Sequence, residues 1–421
     1  MNKPLDMATA ATTVKRAFDP ESARKDFPVL ARPIYGKPLH FLDTAASAQK
    51  PQAVIDAVSD AYGIDYANIH RGVYYLSQKA TEAYDAARAK IAAFLNAREP
   101  SELIFTRNAT EAINLVAYSY GRKFLKEGDE VVLSEMEHHA NIVPWQMLRD
   151  AVGVKLTVVP IDDAGELDME SYVTALEGNV KLVAMTHMSN ALGTVTPIAE
   201  IIRLAHDAGA KILVDGCQMV PHETVDLQAL DADFYVFSGH KLYGPTGTGV
   251  LYGKKDLLDA MPPYQTGGDM IRTVTFAKTT FAEVPARFEA GTPHIAGAIG
   301  LGAAVDYLRQ FDMAEIHAHE MEVAEYARGQ LQAINQVRIY GEAGRRGSLV
   351  SFGLDCAHPH DIGTILDREA VAIRAGHHCA QPVMEHFGIS GTVRASFGLY
   401  NTKADADALI AGIRKVMEIF G

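Results

Sequence analysis

The chain has 421 residues, 48% hydrophobic and 22% charged, a composition that excludes disordered and fibrous classes and suits a soluble protein with more than one core. A formal charge of −13 with a pI near 5.6 opposes attraction to phosphate backbones, so nucleic acid is not expected as a partner. No apolar run approaches the roughly 18 residues of a membrane helix, the opening MNKPLDMATAATTVKRAFDPES lacks a signal-peptide core, and Cys217, Cys356 and Cys379 form no disulfide framework, so a cytoplasmic protein with no membrane partner is expected.

From about residue 100 short apolar runs alternate with amphipathic stretches: ELIFT then ATEAINLVAYSYG, EVVLS then ANIVPWQMLRDA, VKLTVVP, KLVAMTH then IAEIIRLAHDAG, KILVDG, FYVFSG and GVLYG. This alternation predicts an α/β fold with a mostly parallel sheet covered by helices. Beyond FEAGTPHIAG a long helical pattern leads to VRIYG, SLVSFGL, VAIRAG, VRASFGLY and the amphipathic ADALIAGIRKVMEIF, which reads as a smaller α+β C-terminal domain. The expected division is a large domain over residues 31–305 and a small one formed by 1–30 and 306–421. In open α/β sheets ligands sit at the carboxyl ends of strands. Polar residues gather there at Thr106 to Thr110, Glu137 to Asn141, His187 to Asn190, Asp215 to Gln218 and Ser238 to Lys241.

Lys241 in SGHKLYGPTG follows a strand-like run, and Asp215 closes the hydrophobic ILVD upstream. A lysine held at a strand end among fixed partners suits Schiff-base chemistry. A carboxylate that keeps a ring nitrogen protonated is the second requirement of a pyridoxal cofactor. Thr110 opens a helical stretch after a strand, where it acts as a helix cap or helps to hold a phosphate. The adjacent histidines of EMEHHAN, if on a strand, point to opposite faces, which opposes a metal site and suits an imidazole stacked on a flat ring. In RAGHHCAQP, Cys379 is either an inert small residue or a reactive thiol whose thiolate Arg374, His377 and His378 favour; no second CxxC or HxxxH half supports zinc. Arg394, in the strand-like GTVRASFGLYN, needs an anionic partner, either a structural carboxylate or that of a substrate.

Taken together, NIHRGVYYLS, RNATEAINLV, EMEHHANIVPWQ, THMSNALGT, VDGCQ, FYVFSGHKLYGPTG, RFEAGTP, RAGHHCAQP and VRASFGLYN make the chain resemble the Suf-type (group II) cysteine desulfurases, pyridoxal phosphate enzymes of the class-V aminotransferase family and of transferase fold type I. The resemblance implies that Lys241 binds the cofactor aldehyde, Asp215 its ring nitrogen and Gln218 its phenolic oxygen, and that His138 stacks on the ring and shares in catalysis. It further implies that Thr110, Ser238 and His240 hold the phosphate, with Thr292 reaching across from a partner subunit of a homodimer. Asn190, Arg374 and Arg394 match substrate-facing positions and Cys379 the persulfide-forming cysteine. One departure is Ala109-Thr110, where relatives often carry two threonines, so one hydroxyl contact to phosphate is in doubt. The implied reaction converts L-cysteine to L-alanine and passes sulfur to an acceptor protein of the SufE or SufU kind for iron–sulfur cluster assembly. Selenocysteine lyase is the alternative on the same scaffold; an aminotransferase or a kynureninase-like hydrolase is a further rival.

Overall fold

The computed structural model describes residues 15–421, so the first fourteen residues of the expected small domain lie outside it. In chain order the strands are β1 (His40–Phe41), β2 (Leu103–Thr106), β3 (Glu130–Ser134), β4 (Lys155–Val159), β5 (Val180–Thr186), β6 (Lys211–Asp215), β7 (Phe234–Ser238) and β8 (Gly249–Gly253). There follow a hairpin of β9 (Ile271–Val274) and β10 (Thr279–Phe281), then β11 (Val337–Tyr340), β12 (Leu349–Leu354), β13 (Val371–Ala372), β14 (Arg374–Gly376) and β15 (Thr392–Ser396).

Strands β2 to β8 form a seven-stranded sheet in the order β2-β8-β7-β6-β5-β3-β4. The pairs β7-β6, β6-β5, β5-β3 and β3-β4 are parallel, and β8 alone runs against its two neighbours. Helices cover both faces, so the central strands are buried on both sides and carry continuous apolar runs such as ILV and FYVF. Every strand expected after residue 100 is present. The helices Gln52–Gly63 and Tyr75–Phe94 precede the stretch in which the sequence pattern was strong; they pack on Ile295–Leu308, whose own apolar residues surround it.

The C-terminal part is an antiparallel sheet, β11-β12-β15-β14, against the helices Met313–Gln332, Pro359–Arg368 and Lys403–Phe420. Its core, with Val323, Phe352, Ile362, Val393 and Leu409, is separate from the larger cluster around the big sheet. Leu42 belongs to this second core, because β1 pairs in parallel with β13 and Ser396 N–H donates to the Leu42 carbonyl at 2.8 Å. Residues 40–43 thus cross from the N-terminal part to the C-terminal sheet. Phe27 packs edge-on against Tyr243, Tyr307 and Tyr400, and Arg24 pairs with Asp405 at 3.0 Å, so the segment from Pro20 to Ala31 seals the junction of both parts.

The start of β2 is fastened by a buried ion pair. Arg88 donates to both Glu289 oxygens at 2.7 and 2.9 Å and to the Leu103 carbonyl at 2.8 Å. Glu289 also accepts from Phe105 N–H and from the Tyr84 hydroxyl. Replacing Glu289 by Ala leaves Arg88 charged and unpaired in the interior, and urea unfolding is expected to show a loss of about 3–5 kcal/mol, against a smaller loss for Glu289→Gln; equal stability of wild type and Glu289→Ala would contradict this.

Candidate active site

The parallel ladder of β6 and β7 aligns Asp215 with Val236, so the carboxylate ends one strand beside the turn that ends the next. Asp215 is buried and accepts the Cys217 N–H at 3.0 Å. After Ser238 the chain enters a 3-10 turn, Gly239–Lys241, which presents Lys241 to the same pocket. The turn is held from two sides. Gly239 N–H donates to Thr248 O at 2.9 Å, and the His240 carbonyl accepts Ala48 N–H at 3.1 Å and Lys50 Nζ at 2.9 Å. Burial lowers Lys50 to about 8. Gln218 donates from its side-chain amide to the Ala45 carbonyl at 2.8 Å, which ties the segment 45–50 over the site.

Beside them the loop after β3 carries the two histidines. His138 caps a 3-10 turn, His139–Asn141, and its Nδ1 accepts Ala140 N–H at 3.0 Å. The expectation that both histidines lie on a strand is therefore corrected: the capped turn, and not strand alternation, sets their directions. Burial and then nearby Lys241 hold His138 down at about 4, so it is a neutral, flat ring at neutral pH. Beneath it Glu137, fully buried, accepts Ser134 Oγ at 2.6 Å, Asn141 Nδ2 at 2.7 Å and Thr186 N–H at 2.8 Å. Burial pushes its carboxyl up to about 7. Those three donors join the ends of β3 and β5 and fix the loop that aims His138.

The helix after β2 begins at Ala109, not at Thr110, because extended Asn108 caps it by accepting Glu111 N–H at 2.9 Å. Ala109 N–H is taken by Ser238 Oγ at 3.0 Å, which leaves Thr110, exposed in the first turn, with its hydroxyl beside the pocket. Gly249 makes this approach possible: a Cβ there would meet Asn108 Cα at 2.5 Å.

Opposite lies the loop of Cys379, supplied by the C-terminal sheet. His378 and Cys379 both adopt left-handed backbone, with φ of 54° and 55°, and the chain is held there by neighbours. Asn190 Nδ2 donates to the His378 carbonyl at 2.6 Å, and His139 N–H to the Cys379 carbonyl at 2.7 Å. His139 Nε2 in turn accepts Gln381 N–H at 3.0 Å. Cys379 is exposed, whereas Cys217 is buried and its thiol is pushed up, beyond the usual range, by burial and by Asp215. The expected help of His378 to a thiolate is corrected. Its ring is buried against Thr392 Oγ1 at 2.8 Å, and burial with Arg394 and Arg374 lowers it to about 3, so it is neutral.

One pocket brings together Thr110, His138, Asn190, Asp215, Gln218, Ser238, His240, Lys241, Arg374, Cys379 and Arg394. Thr292 stands apart, in a neighbouring cavity with Thr106, Glu111 and His294. Sequence reasoning missed Asp43, which binds both arginines, as well as Lys50, the anchoring role of Glu137 and the second histidine's hold on the Cys379 loop. The only local signal for Asp43 is a carboxylate ending the apolar HFL. Among the described residues no group of three or more His, Cys, Asp or Glu is placed to hold a metal, and no helix is long and apolar enough to cross a membrane.

A lysine and a carboxylate at the ends of adjacent parallel strands, with a neutral imidazole over them and a helix start nearby, define a pyridoxal phosphate-dependent enzyme of the aminotransferase-like fold. The family model for aminotransferase class-V matches residues 40–409, and the chain belongs to this family. It is 52% identical over 402 residues to a cysteine desulfurase of Dickeya dadantii (strain 3937), covering 95% of this chain and 97% of that one. A cysteine desulfurase crystal structure from Escherichia coli shares 39% identity with a TM-score of 0.90, over 96% of this chain and 100% of that one. The apo cysteine desulfurase of Thermococcus onnurineus NA1 shares 38% with a TM-score of 0.92, over the same shares.

His378 offers a pH test. Its folded value, about 3, lies below the ordinary 6.5, so between these values the unfolded chain binds the extra proton and stability falls as pH is lowered. The stability difference between wild type and His378→Asn is expected to shrink progressively from pH 6.5 toward 4 in urea titrations; a constant difference would contradict the buried neutral ring.

Proposed function

We propose that this protein is a cysteine desulfurase of the Suf type, converting L-cysteine to L-alanine and retaining the sulfur as a persulfide on Cys379. The observation that carries the reading is the placement of an exposed thiol, Cys379, in the same pocket as Lys241, Asp215 and His138. The family and the relatives named above support it. The pocket's donor set fits pyridoxal phosphate: a strand-end lysine for the aldehyde, the Asp215 carboxylate for the ring nitrogen, Gln218 for the phenolic oxygen, and the helix start at Ala109 with Thr110, Ser238 and His240 for the phosphate. When bound, that cofactor supplies an aldehyde for exchange with the substrate amine and an electron-withdrawing ring that weakens the Cβ–S bond.

The chain's own groups do the rest. Arg394, with Arg374, receives the substrate carboxylate and orients Cβ and the thiol toward Cys379. Lys241 would hold the cofactor aldehyde, and its amine is placed to move the α-proton. Neutral His138 would pack on the cofactor ring without adding charge. The Cys379 thiolate attacks the substrate sulfur; the S–S bond forms as Cβ–S breaks, the bonding pair stays with carbon, and protonation there completes L-alanine. His139 and Asn190 keep the Cys379 loop docked, so the sulfur stays on the protein until an acceptor takes it.

The division into a large part, residues 31–305, and a small part carrying the cysteine loop belongs to this proposal, as do a cytoplasmic location, a homodimer in which Thr292 serves the partner's phosphate, and a SufE- or SufU-like acceptor feeding iron–sulfur cluster assembly. The compact RAGHHCAQP loop supports the Suf type.

Incubation of the cofactor-loaded protein with L-cysteine is expected to give L-alanine and an intact mass heavier by one sulfur. Cys379→Ser should lose both, and Lys241→Ala should lose the visible cofactor band with a rate fall of about 10²-fold or more. A keto acid product, or a persistent extra sulfur on Cys379→Ser, would overturn the assignment.

A further inference from the structure

The turn that presents Lys241 closes on itself. Gly239 O accepts Leu242 N–H at 3.0 Å and Gly244 N–H at 2.9 Å, and the second bond needs a glycine, since a Cβ at Gly244 would stand 3.0 Å from that same oxygen and 2.8 Å from Leu301 Cδ1. Between the two donors Tyr243 adopts left-handed backbone, with φ of 59°. That region is costly for a bulky side chain and persists only where the surroundings over-determine it.

What holds Tyr243 comes from outside the sheet that carries Lys241. Its ring is fully buried, edge-on to Phe27 at 5.9 Å and to Tyr400 at 6.1 Å. Its hydroxyl accepts Leu399 N–H at 3.3 Å and donates to Glu320 Oε1 at 3.5 Å. Burial holds the phenol well above its ordinary value, so the hydroxyl keeps the proton that it donates. Gly398 permits the approach, because a Cβ there would stand 3.1 Å from the hydroxyl. Leu399 and Tyr400 follow β15, the strand of Arg394. Glu320 lies in the helix Met313–Gln332, wholly buried, and its other oxygen pairs with His222 Nδ1 at 2.6 Å. His222 N–H donates to Met219 O and Met219 N–H to Gly216 O, both at 3.0 Å, so one carboxylate of the C-terminal part reaches the turn after Asp215 as well as the turn of Lys241. Neither Tyr243 nor Glu320 lines the pocket.

We propose that Tyr243 is a positioning residue for Lys241: its hydroxyl ties the turn of the lysine to the part of the chain that brings Arg394 and Cys379, so that docking of that part sets the lysine amine in its working place. This rests on the reading of Lys241 as the residue that binds the cofactor aldehyde.

The test is Tyr243→Phe, which keeps the buried ring and removes only the hydroxyl. The readout is the pH midpoint of the visible band of the cofactor bound to Lys241, measured without substrate, because the proton held there responds to the place of the amine relative to Asp215. The midpoint is expected to move by about half a pH unit or more. A merely structural role for the hydroxyl predicts a lower melting temperature with an unmoved midpoint, and that result overturns the proposal. Should Tyr243→Phe fail to fold, Gly398→Ala decides: the added methyl crowds the hydroxyl from the other side and should move the midpoint likewise, while an unmoved midpoint overturns the proposal. No L-cysteine enters this measurement, so its failure is distinct from that of the desulfurase reading, which the L-alanine product tests.

Discussion

The parallel ladder between β6 and β7 is the constraint from which the site is built. Two neighbouring strands that run in the same direction end on the same edge, so Asp215 and the turn that carries Lys241 meet without any loop having to reach. The strands on either side repeat the effect, bringing the helix start at Ala109, the turn of His138 and the segment of Asn190 to that edge. The burial of these strands on both faces makes the edge rigid. A cofactor held there is held by residues whose backbones have little freedom.

The C-terminal sheet brings Cys379 to the same pocket, and contacts rather than chain connection dock it. Asn190 and His139, both from loops of the large sheet, take the carbonyls of His378 and Cys379, two consecutive non-glycine residues in left-handed backbone. The two adjacent histidines thus divide the work: His138 faces the pocket and His139 grips the thiol loop.

Charge is managed by removal as much as by pairing. His138, His240 and His378 are all kept neutral near physiological pH, chiefly by burial and further by the lysine or arginine near each. Glu137 is pushed the other way and shares its oxygens among three donors. The pocket lining brings Lys241, Asp215, Arg374 and Arg394 together, with Asp43 behind the two arginines.

The alternation of apolar runs and amphipathic stretches was legible in the sequence because buried central strands must be apolar along their whole length; the β9–β10 hairpin, whose residues are mostly exposed, left no such signal. Lys241, Asp215, His138, Cys379 and Arg394 could be singled out from their local context, although for Cys379 and Arg394 that context left a structural role open, and the structure brings all five to one pocket. Asp43, Lys50 and the grip of His139 were not, since each acts through a partner remote in the chain: Asp43 lies 331 positions from Arg374, and Lys50 lies 190 from His240. The sequence by itself determined the fold class and the cofactor and marked Cys379 as the candidate thiol, because composition, periodicity and motif are local properties. Only the tertiary structure decided that two arginines stand face to face with one carboxylate between them, because strand register is set by pairing across the fold and leaves no trace in either strand alone.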